Sequence, residues 1–346
     1  MGPAFTHDVP PQRVVFASGA IERIGEEARR LAMARALVVA TPGSGARLGR
    51  RVVELLAARA AGLHAQAVVH VPKTVAEAGV AAACAAKADG LVAVGGGAAI
   101  GLAKAVALQT GLLILAVPTT YSGSEATPIF GTTDGERKIT GRDAKVLPRT
   151  ILYDPDLTLS LPAAVSAASG MNAVAHCVEA FWAEGRTPVT LALASEAMRR
   201  FGKNLPSAVA DGINERARAE CLIGAWLAGA VLSAGTALHH KLAHVLGGLG
   251  LPHAETHAII LPHVMRFNLT AAPQARTQLA EALGSDDPAQ AVDAMRSRFP
   301  IPQRLREVGF DAGKVDFVAA EIAAASINAP QPVTAEDVRQ ILRDAL

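Results

Sequence analysis

Six of the chain's ten histidines fall in one stretch, ALHHKLAHVLGGLGLPHAETHAIILPH (237–263): His239, His240, His244, His253, His257 and His263. A seventh, His176, lies in GMNAVAHCVEA (170–180). Near neutral pH an imidazole can ligate a metal, carry a proton or donate a hydrogen bond. The spacing gathers these side chains. Asn172 and His176 are four apart and share a helix face, as do His240 and His244. The GGLGLP segment then turns the chain, so His253 can return to the same point. Crowding of this kind in an apolar chain predicts a functional centre. A metal site would want a carboxylate where Asn172 stands. His239 is predicted to point away from His240, and His257 and His263 read as ordinary helix residues. His7, His64 and His70 carry no pattern.

Two further segments suit a phosphorylated ligand. In VAVGGGAAIGLAKA (92–105) a strand runs into three glycines and then into a helix. Glycines let the backbone approach a pyrophosphate, and a helix N-terminus offers free N–H groups and the positive end of its dipole. The segment departs from G-x-G-x-x-G, because Ile100 stands where the third glycine belongs. In AVPTTYSGSEATP (116–128) a buried strand ends in hydroxyls and a loop glycine, which suit ribose, phosphate or carboxamide contacts. A simple capped turn with Ser124 opening a helix accounts for this second segment equally well.

The elements that must hold these residues alternate in the first half. Apolar runs at 13–18, 36–41, 65–71, 90–95, 112–118 and 150–154 are predicted as strands, with helical spacing between them. This is the pattern of βαβ units around a mostly parallel sheet. Beyond YDPDLTLSLP (153–162) only helical segments follow. The chain is therefore expected to form an α/β N-terminal domain, 1–157, and an all-α C-terminal domain, 158–346.

Half of the residues are apolar (51%), and the net charge is only +2. No basic block exists, so neither nucleic acid nor a membrane surface is an expected partner. The uncharged run Cys221–Leu238 approaches the length of a membrane span but reads as a buried core helix. Three cysteines without a CxxC pair, and no signal-peptide pattern at the N-terminus, fit a reducing cytoplasm.

The motifs occur in an order that resembles the iron-containing (group III) alcohol dehydrogenase superfamily along nearly the whole chain. In particular it resembles the maleylacetate reductase branch, of dehydroquinate synthase-like architecture. GGG-x-x-x-x-x-AK matches Gly95–Gly97 with Ala103–Lys104, and PTT-x-x-GSE matches Pro118–Glu125. The N-A-x-x-H helix and the H-x-x-x-H segment ending LPHVMRFN follow. TPIFG (127–131), TGRD-x-x-VLP (140–148) and SGMNAVAH (169–176) are associated with the reductase branch.

The resemblance implies a Rossmann-like first domain and a nicotinamide cofactor. It places Gly96, Gly97 and Ala98 under the pyrophosphate, Thr119, Thr120 and Ser124 along the cofactor, and Lys138 at its ribose. It places the metal positions of iron-dependent relatives on Asn172, His176, His240 and His253, with His244 near substrate and nicotinamide. Two departures stand out. Gly101 replaces the aspartate of GGGSPxD, as in the reductase branch, and Asn172 replaces the metal-binding aspartate. No tightly bound metal is therefore expected, although His176, His240 and His253 could still hold iron or zinc.

The implied reaction is reduction of the enone C=C bond of maleylacetate, or of its chlorinated forms, to 3-oxoadipate, in degradation of aromatic compounds. Tyr121, Arg142 and Arg266 are candidates for the carboxylates of this small dicarboxylate substrate. The turn after the early strand 36–41, ATPGSG (40–45), lacks an acid that would repel a 2′-phosphate, so NADH is the expected cofactor with NADPH tolerated. A homodimer is implied by resemblance alone. The rival readings are a metal-dependent alcohol dehydrogenase of the same superfamily and a non-catalytic protein that binds a metal or a cofactor.

Overall fold

The computed structural model describes residues 4–135 and 137–346. The chain divides into two compact units. One is Val9–Leu161; the other is Pro162–Leu346 together with the segment up to Asp8. The break thus falls four residues beyond the boundary expected from sequence. Residues 4–8, expected with the first domain, group instead with the helical unit, where His7 Nδ1 lies 3.2 Å from Thr187 Oγ1.

In the first unit, β1 (Arg13–Phe16), α1 (Ile24–Arg30), β2 (Ala36–Ala40), α2 (Ser44–Leu56), β3 (Ala60–His64), α3 (Lys73–Ala85), β4 (Gly90–Gly95), α4 (Gly97–Thr110) and β5 (Leu113–Pro118) alternate. A hairpin, β6 (Ile129–Asp134) and β7 (Arg137–Arg142), precedes β8 (Thr150–Tyr153). Six strands form one parallel sheet in the order β1-β8-β5-β4-β2-β3. ALVVA, GLVAVG and TILY are buried at every position, as expected for strands covered on both faces. The third strand lies before the run predicted for it. Val69 in that run is 69% exposed, and His70 and Val71 have positive φ (64° and 45°), which no strand residue adopts. Edge strand β3, AAGLH, lacks the β-branched residues that would have marked it, and its pairing with β2 shifts register. The hairpin was not anticipated either, because IFGTTD and RKITGR carry little apolar alternation.

The second unit is helical throughout its described residues: α5 (Ala163–Ala180), α6 (Pro188–Ala210), α7 (Glu215–Val231), α8 (Leu238–Gly248), α9 (His253–Leu269), α10 (Pro273–Leu283), α11 (Pro288–Arg296), α12 (Val315–Ala323) and α13 (Ala335–Ala345). Helix α5 is its centre, buried from Ser166 to Ala180 and packed against α6, α7 and α9. Helix α7 with the turn that follows it is long and apolar enough to cross a membrane by length and composition. Most of it is buried against α5 and α6, and it carries Arg218, whose guanidinium is wholly buried and donates to Gly212 O and Ser166 Oγ. This is a core helix, as its sequence suggested.

Leu238, Leu242 and Leu246 repeat every four residues along α8. They join a core with Ile259, Ile260, Val318, Ile341 and Leu342 from α9, α12 and α13. Each such side chain contributes about 1.5–3 kcal/mol on burial. That stripe fixes the rotation of α8. His240 and His244 lie two residues further along, at roughly 200° around the helix, and so project from its opposite side.

Candidate active site

The glycine turn and the hydroxyl loop lie side by side. β4 and β5 are parallel neighbours with Gly95 opposite Pro118, so both segments leave the sheet at its carboxyl edge. Helix α4 begins at Gly97, and Gly96 before it supplies no side-chain cap, which leaves the first N–H groups without side-chain partners. Gly96 is required by its neighbour: a Cβ there would lie 2.6 Å from Thr120 Cγ2. Gly97 is exposed, and Ala98, Thr119, Thr120 and Ser124 are partly so.

A buried cation holds the hydroxyl loop in shape. Lys104, on α4, donates through Nζ to the carbonyls of Ser124 (2.6 Å), Ile129 (2.7 Å) and Thr127 (2.9 Å). Three ammonium hydrogens thus meet three carbonyl oxygens. Burial pushes this ammonium down to about 7, and nearby Glu125 opposes the fall. Glu125 is itself buried and accepts from Tyr153 Oη at 2.6 Å. Burial raises its carboxyl above the ordinary value, against the Tyr153 hydrogen bond.

One expectation changes here. Tyr121 has no exposed surface, so its ring is a core residue of the loop and has no surface to offer a substrate. Arg142 is exposed at the end of β7, opposite Ile129. The side chain of Lys138 lies outside the described residues.

In the helical unit, Asn172, His176 and Glu179 follow one another at i, i+4 and i+7 on α5, one face of the helix. They meet α8 and α9. The His176 ring stacks on His240 at 5.0 Å between centroids, His240 and His244 are 6.4 Å apart, and His244 and His253 are 6.3 Å apart. Contrary to expectation, His239 and His257 belong to the same cluster. His239 meets His240 edge-on at 5.3 Å, and His257 packs at 4.8 Å from His240 and 4.3 Å from His253. Both are fully buried. His257 arrives because it is the i+4 partner of His253 on α9. His239 arrives because it sits in the first turn of α8, where Nε2–H donates to the carbonyl of His257 (3.0 Å).

Glu179 is the residue that sequence reasoning missed. Its Oε1 accepts the N–H of His239 (2.6 Å), and Oε2 accepts the N–H of Ala237 (2.8 Å) and Nδ1–H of His240 (2.6 Å). Burial alone would raise this carboxyl. The charge and hydrogen bond of His240 outweigh it, helped by His239 and the Ala237 amide, and hold the pKa below the ordinary carboxylate value. The signal was its seven-residue spacing from Asn172.

Burial has the opposite consequence for the rings. Desolvation, reinforced by the neighbouring histidines, lowers His176 and His257 well below the ordinary imidazole value. It brings His239 to about 4. These three are neutral at pH 7. Several buried polar atoms in the cluster lack a hydrogen-bond partner: Asn172 Oδ1, His176 Nδ1, His239 Nδ1, His240 Nε2 and both nitrogens of His257.

Arg266 does not join the cluster. It lies thirteen residues beyond His253 on α9, roughly 20 Å along a helix axis. There it pairs with Asp293 at 2.5 Å and reaches His263 Nδ1 at 3.3 Å. It plays a helix-end role.

The parallel sheet with a glycine turn at its carboxyl edge, followed by a helical unit built around imidazoles, is the plan of one family. The chain belongs to the iron-containing alcohol dehydrogenases. Residues 11–155 match the model described as iron-containing alcohol dehydrogenase, and residues 166–346 match that of the Fe-containing alcohol dehydrogenase family, C-terminal.

Within the family, the chain is similar to several maleylacetate reductases. It is 48% identical over 340 residues to maleylacetate reductase 2 of Cupriavidus pinatubonensis, covering 97% of this chain and 94% of that one. It is 42% identical over 344 residues to the maleylacetate reductase of Sphingobium indicum, covering 99% and 97%. The crystal structure of maleylacetate reductase from Agrobacterium tumefaciens matches with a TM-score of 0.95 at 40% identity, covering 100% of this chain and 99% of the other.

Proposed function

We propose that this protein is an NAD(P)H-dependent reductase of the enone double bond of maleylacetate, forming 3-oxoadipate. The carrying observation is similarity to maleylacetate reductases across almost the whole of both chains. A bound reduced nicotinamide supplies the hydride that the enone accepts at C2, the carbon far from its C4 ketone. Gly96, Gly97 and Ala98 would hold the pyrophosphate of that cofactor through backbone N–H groups. Thr119, Thr120 and Ser124 would line it, and the resemblance assigns Lys138 to its ribose.

As C2 is reduced, negative charge gathers on the C4 oxygen. His244 supplies an N–H donor there, a preorganised stabilisation of the developing enolate, and His240 takes part through Nε2. His176 and His253 complete the imidazole wall. C3 then takes a proton through an imidazole or water, which yields the saturated ketone. Arg142 and Thr120 are assigned to the substrate carboxylates.

The donor set fits resident iron poorly. Asn172 offers a neutral amide oxygen where the resemblance places the aspartate of iron-binding relatives. The reaction above therefore runs on the chain's own donors. One observation favours a second reading, a metal-dependent alcohol dehydrogenase: His239, His240 and His257 bring one ring nitrogen each to within 4.8 Å of one another.

The assay is oxidation of NADH, and in parallel NADPH, with maleylacetate beside simple aldehydes and ketones. Turnover of maleylacetate with both cofactors is expected. Activity confined to aldehydes refutes the proposal, and complete rejection of NADPH refutes the cofactor reading of ATPGSG.

A further inference from the structure

We propose that Glu179 is a positioning residue for this reaction, fixing by direct hydrogen bonding which nitrogen of His240 is presented for chemistry. The inference rests on the imidazole mechanism above. A carboxylate before a helix commonly caps its first N–H groups. Glu179 does so for α8 through the amides of Ala237 and His239. A cap needs no more than this. The third bond is different in kind: the same Oε2 that accepts the Ala237 amide also accepts from the His240 ring, at 2.6 Å.

Three donors converge on one carboxylate with no exposed surface, and two of them are backbone groups that can only donate. With those amides the oxygens are held as acceptors, so the ring nitrogen facing them must carry the hydrogen. Nδ1 is then the protonated nitrogen of His240, and Nε2 is left to act. Nε2 is buried and has no hydrogen-bond partner among the described residues.

The ring is also fixed in rotation. It is clamped between the carboxylate on one side and the stacked His176 ring 5.0 Å away on the other. Because α5 supplies Glu179 and α8 supplies His240, one carboxylate sets the start of the helix and the orientation of the ring it carries. Pairs of this type, a carboxylate behind a working histidine, typically contribute 10–100-fold to the function of the ring.

The test uses the full chain labelled with 15N-histidine. In the wild type, NMR should show His240 with hydrogen on Nδ1; hydrogen on Nε2 alone would overturn the proposal. Glu179→Gln should lower kcat by about 10–100-fold while leaving the KM for NADH within about twofold. Added to His240→Ala, it should cost less than about threefold more, because partners in one unit are not additive.

Wild-type kcat in a folded Glu179→Gln, or multiplication of the two effects, would mean that Glu179 only caps α8. Should Glu179→Gln fail to fold, Glu179→Asp keeps a negative charge near the start of α8 but draws the carboxylate back from the ring and the amides alike. It should fold and lose kcat, and wild-type kcat there would overturn the proposal. If the wild type does not turn over maleylacetate at all, the substrate reading fails while the tautomer measurement still judges Glu179.

Discussion

Gly97→Ala separates what the fold needs from what the cofactor needs. Gly97 opens α4 with a negative φ, and a Cβ built on it would meet nothing nearer than Ser122 Oγ at 3.8 Å, an ordinary contact. Alanine therefore fits. In a helix it is favoured over glycine by about 0.5–1 kcal/mol, partly by narrowing the unfolded ensemble. The first helical position should realise the lower part of that gain. The protein is thus expected to become slightly more stable.

Binding should move the other way. If a pyrophosphate lies against the N–H groups of Gly97 and Ala98, the new methyl group displaces it from at least one charge-assisted hydrogen bond. Such bonds are worth about 1.5–3 kcal/mol, or roughly 10–150-fold in Kd. Gly96→Ala is the contrasting case. Its Cβ would lie 2.6 Å from Thr120 Cγ2 and 2.8 Å from Thr120 Oγ1, so overpacking should cost about 1–3 kcal/mol of stability as well as affinity. NADH fluorescence titration and urea unfolding read the two quantities separately. A Gly97→Ala protein that binds NADH within about twofold of the wild type would refute the placement of the cofactor on this turn.

Three more predictions concern Lys104, His244 and metal content. Lys104 is held to about 7 when folded against an ordinary 10.5, so between these values the folded chain binds fewer protons than the unfolded one, and wild-type stability should rise with pH. Below pH 7 both forms are protonated and the full cost of burial, at most about 4–5 kcal/mol, is present. Lys104→Met should flatten this slope in urea unfolding between pH 7 and 10, and an unchanged slope would show that Lys104 is not buried as a cation. His244→Ala, assayed with maleylacetate, should lower kcat by about 10²-fold with little change in NADH affinity; wild-type kcat would remove His244 from the mechanism. Metal analysis of active protein should give well under one equivalent of iron or zinc, and a chelator should leave kcat unchanged. Stoichiometric metal whose removal abolishes activity would favour the metal-dependent reading.

Much of the fold was legible because its strands are short apolar runs between helical spacings, and burial on both faces writes that pattern directly into the sequence. β3 was not legible: AAGLH at the sheet edge has little apolar side chain to bury, while the more β-like run after it is bent by His70 and Val71. The imidazole cluster was legible where helical spacing alone decides proximity, as for Asn172 with His176 and His240 with His244. It was illegible where tertiary packing decides. Glu179 carries a charge, and charges on helices usually face water. Only the placement of the α8 start beside α5 supplies the two amides and the ring that hold it ionised in the core. Arg266 shows the reverse error, since nearness in sequence to a histidine motif was taken for nearness in space.

Asn172 and Glu179 are best understood together. A buried cluster tolerates a carboxylate only where hydrogen bonds or an opposite charge offset its desolvation. Glu179 has that compensation from two amides and a ring. A second carboxylate at position 172 would have none from the protein, because its neighbour His176 is kept neutral by burial and by the other rings. It would need an external cation. Asparagine at that position removes the charge while keeping the shape and the acceptor oxygen, which suits the proposed reaction through imidazoles. The carboxylate that remains is the one hydrogen-bonded to the His240 ring.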